Sequence, residues 1–359
     1  MGTYLLVILT STGLAFLARH VNKEYQIPIL VILILTLSTF SGLRGVGTDT
    51  IGYNRRFMSI DHVDTSDFSL IYVIMNVIKR MGLGYQTVIY IISLTTTILA
   101  VSVLWKYRYQ ISFPFAIFSY LLQFYQMSFN TFRQILAASF FVLAVSKFGE
   151  KKYKQVAISY IIACLIHSSV IPFGMVFILS KYIYDRRYLR KRTIIYIIIA
   201  VLIYTMPIYV NYVSRLLLSK LPHYAAYFVN FEYQPIGIGI IRYMILAIFP
   251  VVATLLLKRK YKYLQASYKK IEYCSFFSIV GTEIWLLSYV STAVIYRASY
   301  NFLLALPILH GFIAKRFPKN YRYITLTILT IFLVFFWYYD YGVLNSGETV
   351  PYITGLQKW

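Results

Sequence analysis

The chain has 359 residues, of which 59% are hydrophobic and only 13% are charged, and its mean hydropathy is +0.65. A water-soluble domain of this composition could not cover its surface with polar groups, so a soluble globular protein is excluded. The formal net charge of +23 would indicate nucleic-acid binding in a soluble protein. Here the basic residues stand in short clusters between long apolar runs, which is typical of membrane proteins, and we expect no nucleic-acid partner.

Apolar runs follow one another along the whole chain. A helix needs roughly 17–25 mostly apolar residues to cross a bilayer, and the alternating pattern of a β-barrel is absent. The runs therefore predict an all-α fold, a polytopic transmembrane helical bundle formed by one domain, 1–359. About twelve spans are predicted, at residues 5–17, 28–43, 86–105, 111–127, 129–146, 153–166, 168–181, 193–212, 236–257, 271–290, 292–314 and 323–339. The short pair around residue 167 is alternatively a re-entrant hairpin.

The loops between the predicted spans alternate in charge. Every second loop contains a cluster of lysine and arginine, at residues 19–23, 106–108, 147–154, 181–192, 258–270 and 315–322. Because basic loops are retained in the cytoplasm, we predict that these loops are cytoplasmic and that both termini face outward. The clusters need no role beyond setting the topology and contacting anionic lipid headgroups.

The loop at residues 44–85 is the densest polar segment on the predicted outer side. It begins with Arg44 and carries glycines at 45, 47 and 52, which allow tight turns and the close approach of a ligand. We expect Arg44 at the membrane edge, where a planar guanidinium group would suit a phosphate headgroup. A Gly-rich surface turn without any ligand is the alternative.

The second half of this loop predicts an amphipathic helix. Residues 68–81 are mostly apolar, while Asn76, Lys79 and Arg80 share one helical face. Such a helix would lie on the outer membrane surface. A second outer loop is predicted at residues 213–235.

Three arginines interrupt apolar spans near their predicted outer ends: Arg133, Arg242 and Arg297. An ionisable residue in a span is costly and usually faces a cavity or a partner. Snorkelling of the long side chains to the headgroups is the alternative. Their similar depth favours one anion site open to the outer side. We interpret Glu283, in the outer half of its span, as a partner of such an arginine or as a general base.

His167 stands at the predicted outer end of its span and is followed by two serines. Imidazole transfers protons near neutral pH, so His167 is a candidate base, although a lone histidine is more often a structural residue. His223 and His310 are weaker candidates by position. The histidines and cysteines are scattered, and no P-loop or dinucleotide fingerprint is present, so we expect no metal and no cofactor.

Five segments, in order, resemble signatures of the EpsG/Wzy-like family of O-antigen, capsule and exopolysaccharide polymerases. Residues 43–53 are similar to its arginine, glycine, aspartate and tyrosine signature. The other segments resemble its R-Q helix, its histidine-bearing helix end, its late arginine–aromatic block and its terminal P-Y element, at residues 132–137, 163–169, 296–302 and 350–352. Val170 departs from the small residue that the family often has there.

The resemblance implies a metal-independent membrane glycosyltransferase that uses polyprenyl-linked donors at the outer face of the bacterial cytoplasmic (inner) membrane. It would transfer a growing glycan from undecaprenyl diphosphate onto the non-reducing end of a lipid-linked repeat unit. The implied partners are the undecaprenyl-diphosphate-linked donor and acceptor glycans, membrane lipid and a chain-length-regulating co-polymerase.

On this mechanism, arginines would stabilise the charge of the departing diphosphate, with Arg44, Arg133 and Arg297 first and Arg242 fourth. His167 is the first choice for the base that deprotonates the acceptor, and Asp49 the second. The expected substrate-binding residues also include Gln134, Thr48, Tyr53 and Tyr300. The two tyrosines could stack on sugar rings or simply be interfacial aromatics.

Two other functions need a similar polar site. A flippase or transporter of lipid-linked oligosaccharides would favour internal repeats and a central charged path, and neither is evident. A membrane O-acyltransferase would also use a histidine, but it would favour a tunnel that opens inward. A binding or scaffold role does not explain several arginines within apolar spans.

Overall fold

The computed structural model describes residues 1–60, 69–184, 238–261, 264–288 and 293–355. The predicted span at 193–212, the predicted loop at 213–235 and His223 lie outside these residues. The described chain is helical and contains no strand, apart from an isolated bridge between Arg44 and Thr354. The all-α prediction is confirmed.

The described α-helices, in chain order, are α1 (Gly2–His20), α2 (Lys23–Gly42), α3 (Thr48–Met58), α4 (Leu70–Arg80), α5 (Tyr85–Lys106), α6 (Phe113–Tyr120), α7 (Phe132–Phe148), α8 (Tyr153–Ile166), α9 (Gly174–Tyr184), α10 (Ile238–Tyr243), α11 (Phe249–Lys260), α12 (Gln265–Ser288), α13 (Ala293–Leu303), α14 (Leu306–Arg316) and α15 (Lys319–Tyr338). π-Helical turns extend α6, α10 and α15, at Leu121–Tyr125, Met244–Ile248 and Tyr339–Val343. Short 3₁₀ turns precede α7 and α9, at Met127–Phe129 and Ser168–Phe173.

Five stretches of helix are long and apolar enough to cross a membrane: Gly2–His20, Lys23–Gly42, Tyr85–Lys106, Gly239–Leu257 and Lys319–Val343. Shorter apolar helical stretches occur at Phe113–Tyr125, Tyr153–Ile166 and Ser168–Ser180. The structure thus has the character of a membrane protein, while the number of twelve spans stays a prediction. Large apolar side chains such as Leu6 and Leu9 on α1 are exposed, as expected of surfaces that face lipid.

The predicted span at 292–314 is two helices, not one. α13 ends at Leu303, and α14 begins at Leu306 with Pro307 in its first turn. Proline lacks an amide hydrogen and its ring clashes with the carbonyl four residues earlier, so a helix cannot run through it undisturbed.

The centre of the bundle is α7, which packs against α5, α8 and α13. Nearly every residue of α7 is buried, and the small side chains of Ala137, Ala138 and Ala144 are fully enclosed. Small residues allow close approach of neighbouring helices in a bilayer, where helix association depends on packing. The first turn of α7 is therefore held rigidly, and it carries Arg133.

The two ends of the bundle differ in character. At one end, Arg19 lies over the ring of Tyr109 at 5.1 Å, Lys315 donates to the Tyr109 carbonyl at 2.9 Å, and Lys106 pairs with Glu150 at 2.9 Å. These contacts join four of the loops that the charge pattern assigns to the cytoplasm. The loops do share one end, and its assignment to the cytoplasm stays a prediction.

Both chain termini lie at the opposite end. The Tyr4 hydroxyl, at the start of α1, donates to the Thr349 carbonyl at 2.6 Å. Residues 345–355, which we call the C-terminal strap, lie against the loop at residues 43–48. The described ends of the chain thus lie on the same side of the bundle, and that this side faces outward stays a prediction.

The predicted amphipathic helix at 68–81 is α4. Ile71, Met75 and Ile78 are buried on one face, while Val73 and Val77 are exposed. At roughly 1.5 Å per residue, a helix of this length is too short to cross a bilayer. The described parts of the loop at 44–85 therefore form the short helices α3 and α4, over the same end of the bundle as the strap.

Candidate functional site

The candidate site lies at this end, where α2 ends, α3, α7 and α13 begin and α8 ends. Residues that the sequence predicts to take part in the chemistry lie at these helix ends. Five of the candidates are close together, namely Arg44, Asp49, Arg133, His167 and Arg297.

The backbone of the glycine-rich loop fixes the start of α3. Gly47 has a φ of 104°, and a Cβ there would lie 2.6 Å from the Phe129 carbonyl oxygen, so only glycine fits. The next amide, that of Thr48, donates to Asn130 Oδ1 at 3.0 Å. Thr48 thus serves the loop through its backbone, and Asp49 occupies the first turn of α3.

The C-terminal strap covers this loop. The Gly45 amide donates to the Ile353 carbonyl, and the Gly355 amide donates to the Leu43 carbonyl, both at 2.7 Å. The Tyr352 ring stacks on Phe40 at 4.1 Å between centroids, and its hydroxyl donates to the Phe40 carbonyl at 2.7 Å. The segment that resembles the terminal P-Y element is therefore part of the site architecture.

Arg44 is enclosed by this arrangement. Its side chain is 1% exposed, and its Nη1 donates to the Ser41 carbonyl at 2.5 Å and to Ser93 Oγ at 3.1 Å. The guanidinium lies over the Phe129 ring at 4.8 Å, and its Nε has no hydrogen-bond partner among the described residues. Arg44 is thus enclosed by α5 and the strap, while its place at the membrane edge stays a prediction.

Arg133 lies between two tyrosine rings. Its guanidinium carbon is 5.1 Å from the centroid of Tyr53 on α3 and 5.7 Å from that of Tyr72 on α4. The Tyr53 ring also packs edge-on against Phe132 at 4.5 Å. Tyr53, a sequence candidate for stacking on a sugar, therefore packs against Arg133.

Arg297 is placed by α7. Gln134 Nε2 donates to the Arg297 carbonyl and ties the second turn of α13 to the first turn of α7. The Arg297 side chain itself is exposed. Among the described residues, neither Arg133 nor Arg297 forms an ion pair with a carboxylate.

Asp49 shows that the arginines converge. Burial raises the pKa of its carboxyl group, and the guanidinium groups of Arg297, Arg133 and Arg44, in that order, oppose this shift. Coulombic effects of this kind require proximity, so three arginines from distant parts of the chain lie near one acid. The loss of solvation on burial outweighs the attraction of the three arginines, so the pKa of Asp49 is raised overall.

His167 lies in the connection between α8 and the following 3₁₀ turn, outside both helices. Burial, and then the charges of Arg133 and Arg297, lower its pKa to about 4, so it is neutral at neutral pH. Its Nδ1 accepts hydrogen bonds from the Ser169 amide at 3.3 Å and from Ser169 Oγ at 2.7 Å. A neutral ring that accepts at Nδ1 carries its proton on Nε2, so it presents a donor.

Arg242 and Tyr300 belong to a different environment. Arg242 forms an ion pair with Asp340 at 2.5 Å, and Tyr300 is buried against Tyr296, at 4.9 Å between ring centroids. Among the described residues, the partner of Arg242 is Asp340, whereas the sequence indicates Glu283 as the partner of such an arginine or as a general base. Asp340 is an acid at the end of an apolar helix, and this position is the sequence signal for the pairing.

His310 has a structural role. It is fully buried, Ser119 Oγ lies 2.6 Å from its Nδ1, and its Nε2 contacts the Leu246 carbonyl at 3.1 Å. These bonds join α6, α14 and the π-helical turn before α11. Across the described parts of the chain, no group of three or more His, Cys, Asp or Glu residues could hold a metal ion.

The fold and this cluster define a helical, membrane-type protein with a basic polar site at one end of its bundle. The family model of the EpsG family matches residues 27–354. Since the match covers nearly the whole chain, the protein belongs to the EpsG family. No curated protein and no solved structure gives a significant match.

Proposed function

We propose that this protein is a polysaccharide polymerase of the Wzy type. It would transfer a growing glycan from undecaprenyl diphosphate to the non-reducing sugar of another lipid-linked repeat unit. Membership of the EpsG family supports the polymerase class. The observation that carries the proposal is the convergence of Arg44, Arg133 and Arg297 on Asp49.

The proposed reaction is a displacement at the anomeric carbon of the donor glycan. The acceptor hydroxyl oxygen forms the new glycosidic bond as the bond from that carbon to the diphosphate oxygen breaks. The diphosphate leaves with the bonding electrons, and a base takes the hydroxyl proton. Negative charge grows on the leaving group, so preorganised cations close to it lower the barrier.

The arginines would stabilise the leaving group in different ways, according to their exposure. Arg133 and Arg297 are accessible and lack carboxylate partners among the described residues, so both would contact phosphate oxygens directly. Arg44 is sealed behind the loop and would contribute its positive charge from there. Arg242 is neutralised by Asp340, which favours a structural role over the phosphate role expected from the sequence.

The geometry favours Asp49 over His167 as the base. Nδ1 of His167 is occupied by Ser169, so Nε2 of the neutral ring would donate a hydrogen bond to substrate and would not accept a proton. Asp49 has a raised pKa, which makes its carboxylate a stronger base than an exposed aspartate. His167 would then orient the substrate or its phosphate.

The proposed setting is the bacterial inner membrane, with the site open to the periplasm or cell exterior. Donor and acceptor would both arrive as undecaprenyl-diphosphate-linked glycans from the surrounding lipid. A co-polymerase would set the chain length. The exposed apolar side chains on the described helices support contact with membrane lipid.

Complementation of a polymerase-null strain tests this proposal. Arg133→Ala should leave a single repeat on the lipid acceptor in place of a polymer ladder, with protein levels unchanged. The matched control is Arg19→Ala at the other end of the bundle, since Arg19 also lies 5.1 Å from a tyrosine centroid. Arg19→Ala should retain the ladder.

Normal ladders from Arg133→Ala and Arg297→Ala would reject the proposed site. A null phenotype with no repeat outside the cell would instead indicate a flippase, because a polymerase defect leaves one exported unit. Purified protein reconstituted with a defined lipid-linked repeat provides the direct assay of polymer formation.

A further inference from the structure

Two arginines share the same pair of tyrosine rings next to the site. The Arg56 guanidinium carbon is 5.9 Å from the centroid of Tyr53 and 5.7 Å from that of Tyr72. Arg133 faces the same two rings at 5.1 and 5.7 Å. Arg56 Nη1 also donates to the Tyr72 hydroxyl. Helices α3, α4 and α7 thus hold two guanidinium groups around one aromatic pair.

These two charges lack a carboxylate partner in the part of the chain that the structure describes. Like charges held close together repel, and aromatic faces offset only part of that cost. Arg56 is exposed and Arg133 is half-buried, so both remain open to a ligand from water or from the membrane surface. The arrangement favours an anion that contacts both groups.

Arg133 and Arg56 also lie at different distances from the proposed reaction centre. Arg133 is close enough to Asp49 and His167 for its charge to favour a lower pKa in both. Arg56 lies on α3 seven residues after Asp49, about 10 Å further along the helix axis. An anion that extends from Arg133 to Arg56 runs away from the reacting carbon.

An apolar surface on α4, the helix that carries Tyr72, indicates what is attached to that anion. Val73 and Val77 on α4 and Met81 directly after it recur every fourth residue and are 42%, 51% and 67% exposed. This spacing forms a single apolar stripe on a helix, and α4 also carries Tyr72. A ligand with a phosphate head and a hydrocarbon tail would meet both surfaces at once.

We propose that Arg56 and Arg133 together bind the two phosphoryl groups of a polyprenyl diphosphate, with Arg133 nearer the glycan and Arg56 nearer the lipid. This assignment rests on the proposed function and adds Arg56 to the substrate-binding residues. Guanidinium groups suit this role because each makes paired hydrogen bonds to phosphate oxygens. The tyrosine rings hold the two planar groups in position.

The test is binding of undecaprenyl diphosphate to purified protein in detergent, measured by native mass spectrometry and by titration. Arg56→Ala should weaken binding about tenfold or more, as expected for the loss of a charge-assisted contact. Arg55→Ala is the matched control, because it removes an equal charge from the neighbouring exposed residue. It should bind within about twofold of the wild type.

Competition separates the possible sources of phosphate. Inorganic pyrophosphate should compete in an Arg56-dependent manner, while an excess of phosphatidylglycerol should not. Equal competition by phosphatidylglycerol would indicate an ordinary lipid-headgroup contact and overturn the proposal. Equal weakening by Arg55→Ala and Arg56→Ala would also overturn it, since bulk surface charge would then explain the effect.

The segment that joins α3 to α4 contains Asp61, Asp64 and Asp67. If Arg56 served only to pair with these acids, their joint replacement by asparagine would reproduce the loss caused by Arg56→Ala. The proposal requires unchanged or tighter diphosphate binding by this triple variant. Arg56-dependent binding without any polymer formation would reject the polymerase function and leave this binding site intact.

Discussion

At the scale of single residues, the arginines differ most in whether an acid neutralises them. Arg242 is paired with Asp340, whereas Arg133 and Arg297 lack a carboxylate partner among the described residues. An ionisable residue near the end of an apolar helix usually faces a partner or a site, and a ligand can supply the opposite charge where no carboxylate does. This difference separates the proposed phosphate ligands from an arginine that holds two helices together.

Asp49 should give the activity a recognisable pH dependence. Its pKa is raised by burial, so as the pH falls it takes up a proton at a higher pH than an exposed aspartate would. The polymerisation rate should therefore decline on the acidic side through this raised pKa, as measured by pH–rate profiles in reconstituted vesicles. Asp49→Asn should be inactive over the whole range.

The stability of the same variant provides the control. For an acid whose pKa is raised in the folded state, folding favours the protonated form, so its contribution to stability is present at low pH and lost as the pH rises. Asp49→Asn should therefore not lower the melting temperature at neutral pH. A large drop in melting temperature would show that Asp49 is structural.

The Arg242–Asp340 pair should behave in the opposite way. Its side chains are only 15% and 19% exposed, so Arg242→Ala would leave a buried carboxylate unpaired, at a cost of about 3 kcal/mol. Thermal unfolding in detergent should show a clear loss of stability. The double variant Arg242→Gln with Asp340→Asn should recover much of it, and a simple sum of the two single losses would contradict the pairing.

At the scale of elements, the C-terminal strap holds the glycine-rich loop in its site conformation. The strap satisfies backbone groups of Gly45, Gly47 and Thr48, and it covers Arg44. Because the helices of the bundle also pack directly against one another, the strap should control the site more than the fold.

Removal of residues 345–359 should therefore abolish polymer formation and speed amide hydrogen exchange at residues 43–48. Exchange within α7, at the centre of the bundle, should change little. Removal of residues 356–359 alone is the control and should leave both measurements unchanged. Uniformly faster exchange in all helices would mean that the strap supports the whole bundle.

At the scale of the whole molecule, the bundle is polarised. One end gathers basic loops such as those of Lys106 and Lys315, and the other gathers both termini and the proposed site. The charge rule predicts that the basic end faces the cytoplasm. Substrates from the outer leaflet would then reach the site directly.

Cysteine labelling in intact cells checks this orientation. A membrane-impermeant maleimide should label Ser346→Cys in the strap, and it should label Lys154→Cys at the basic end only after permeabilisation. Both positions are exposed. The background should lack the native thiols, through Cys164→Ser and Cys274→Ser. The reverse labelling pattern would place the site in the cytoplasm and contradict the proposed function.

Long apolar runs made the helical fold and the positions of several helices predictable. Arg133, His167 and Arg297 could be selected as candidates because a polar residue in an apolar run is unusual. Other features could not be predicted in this way. The partner of Arg242 lies 98 positions away along the chain, so no local pattern joins Arg242 to Asp340 rather than to Glu283. The role of Arg56 depends on Tyr53 and Tyr72, which only the packing of three helices brings together.

The sequence by itself determined that this protein is an apolar helical bundle with basic loops and with arginines near helix ends, because hydropathy and charge act residue by residue. The tertiary structure decided which of those arginines share a site, which one is neutralised and which one is sealed from solvent. Electrostatic interaction and burial depend on distances between parts of the chain that are remote in sequence, and these distances exist only once the helices have packed.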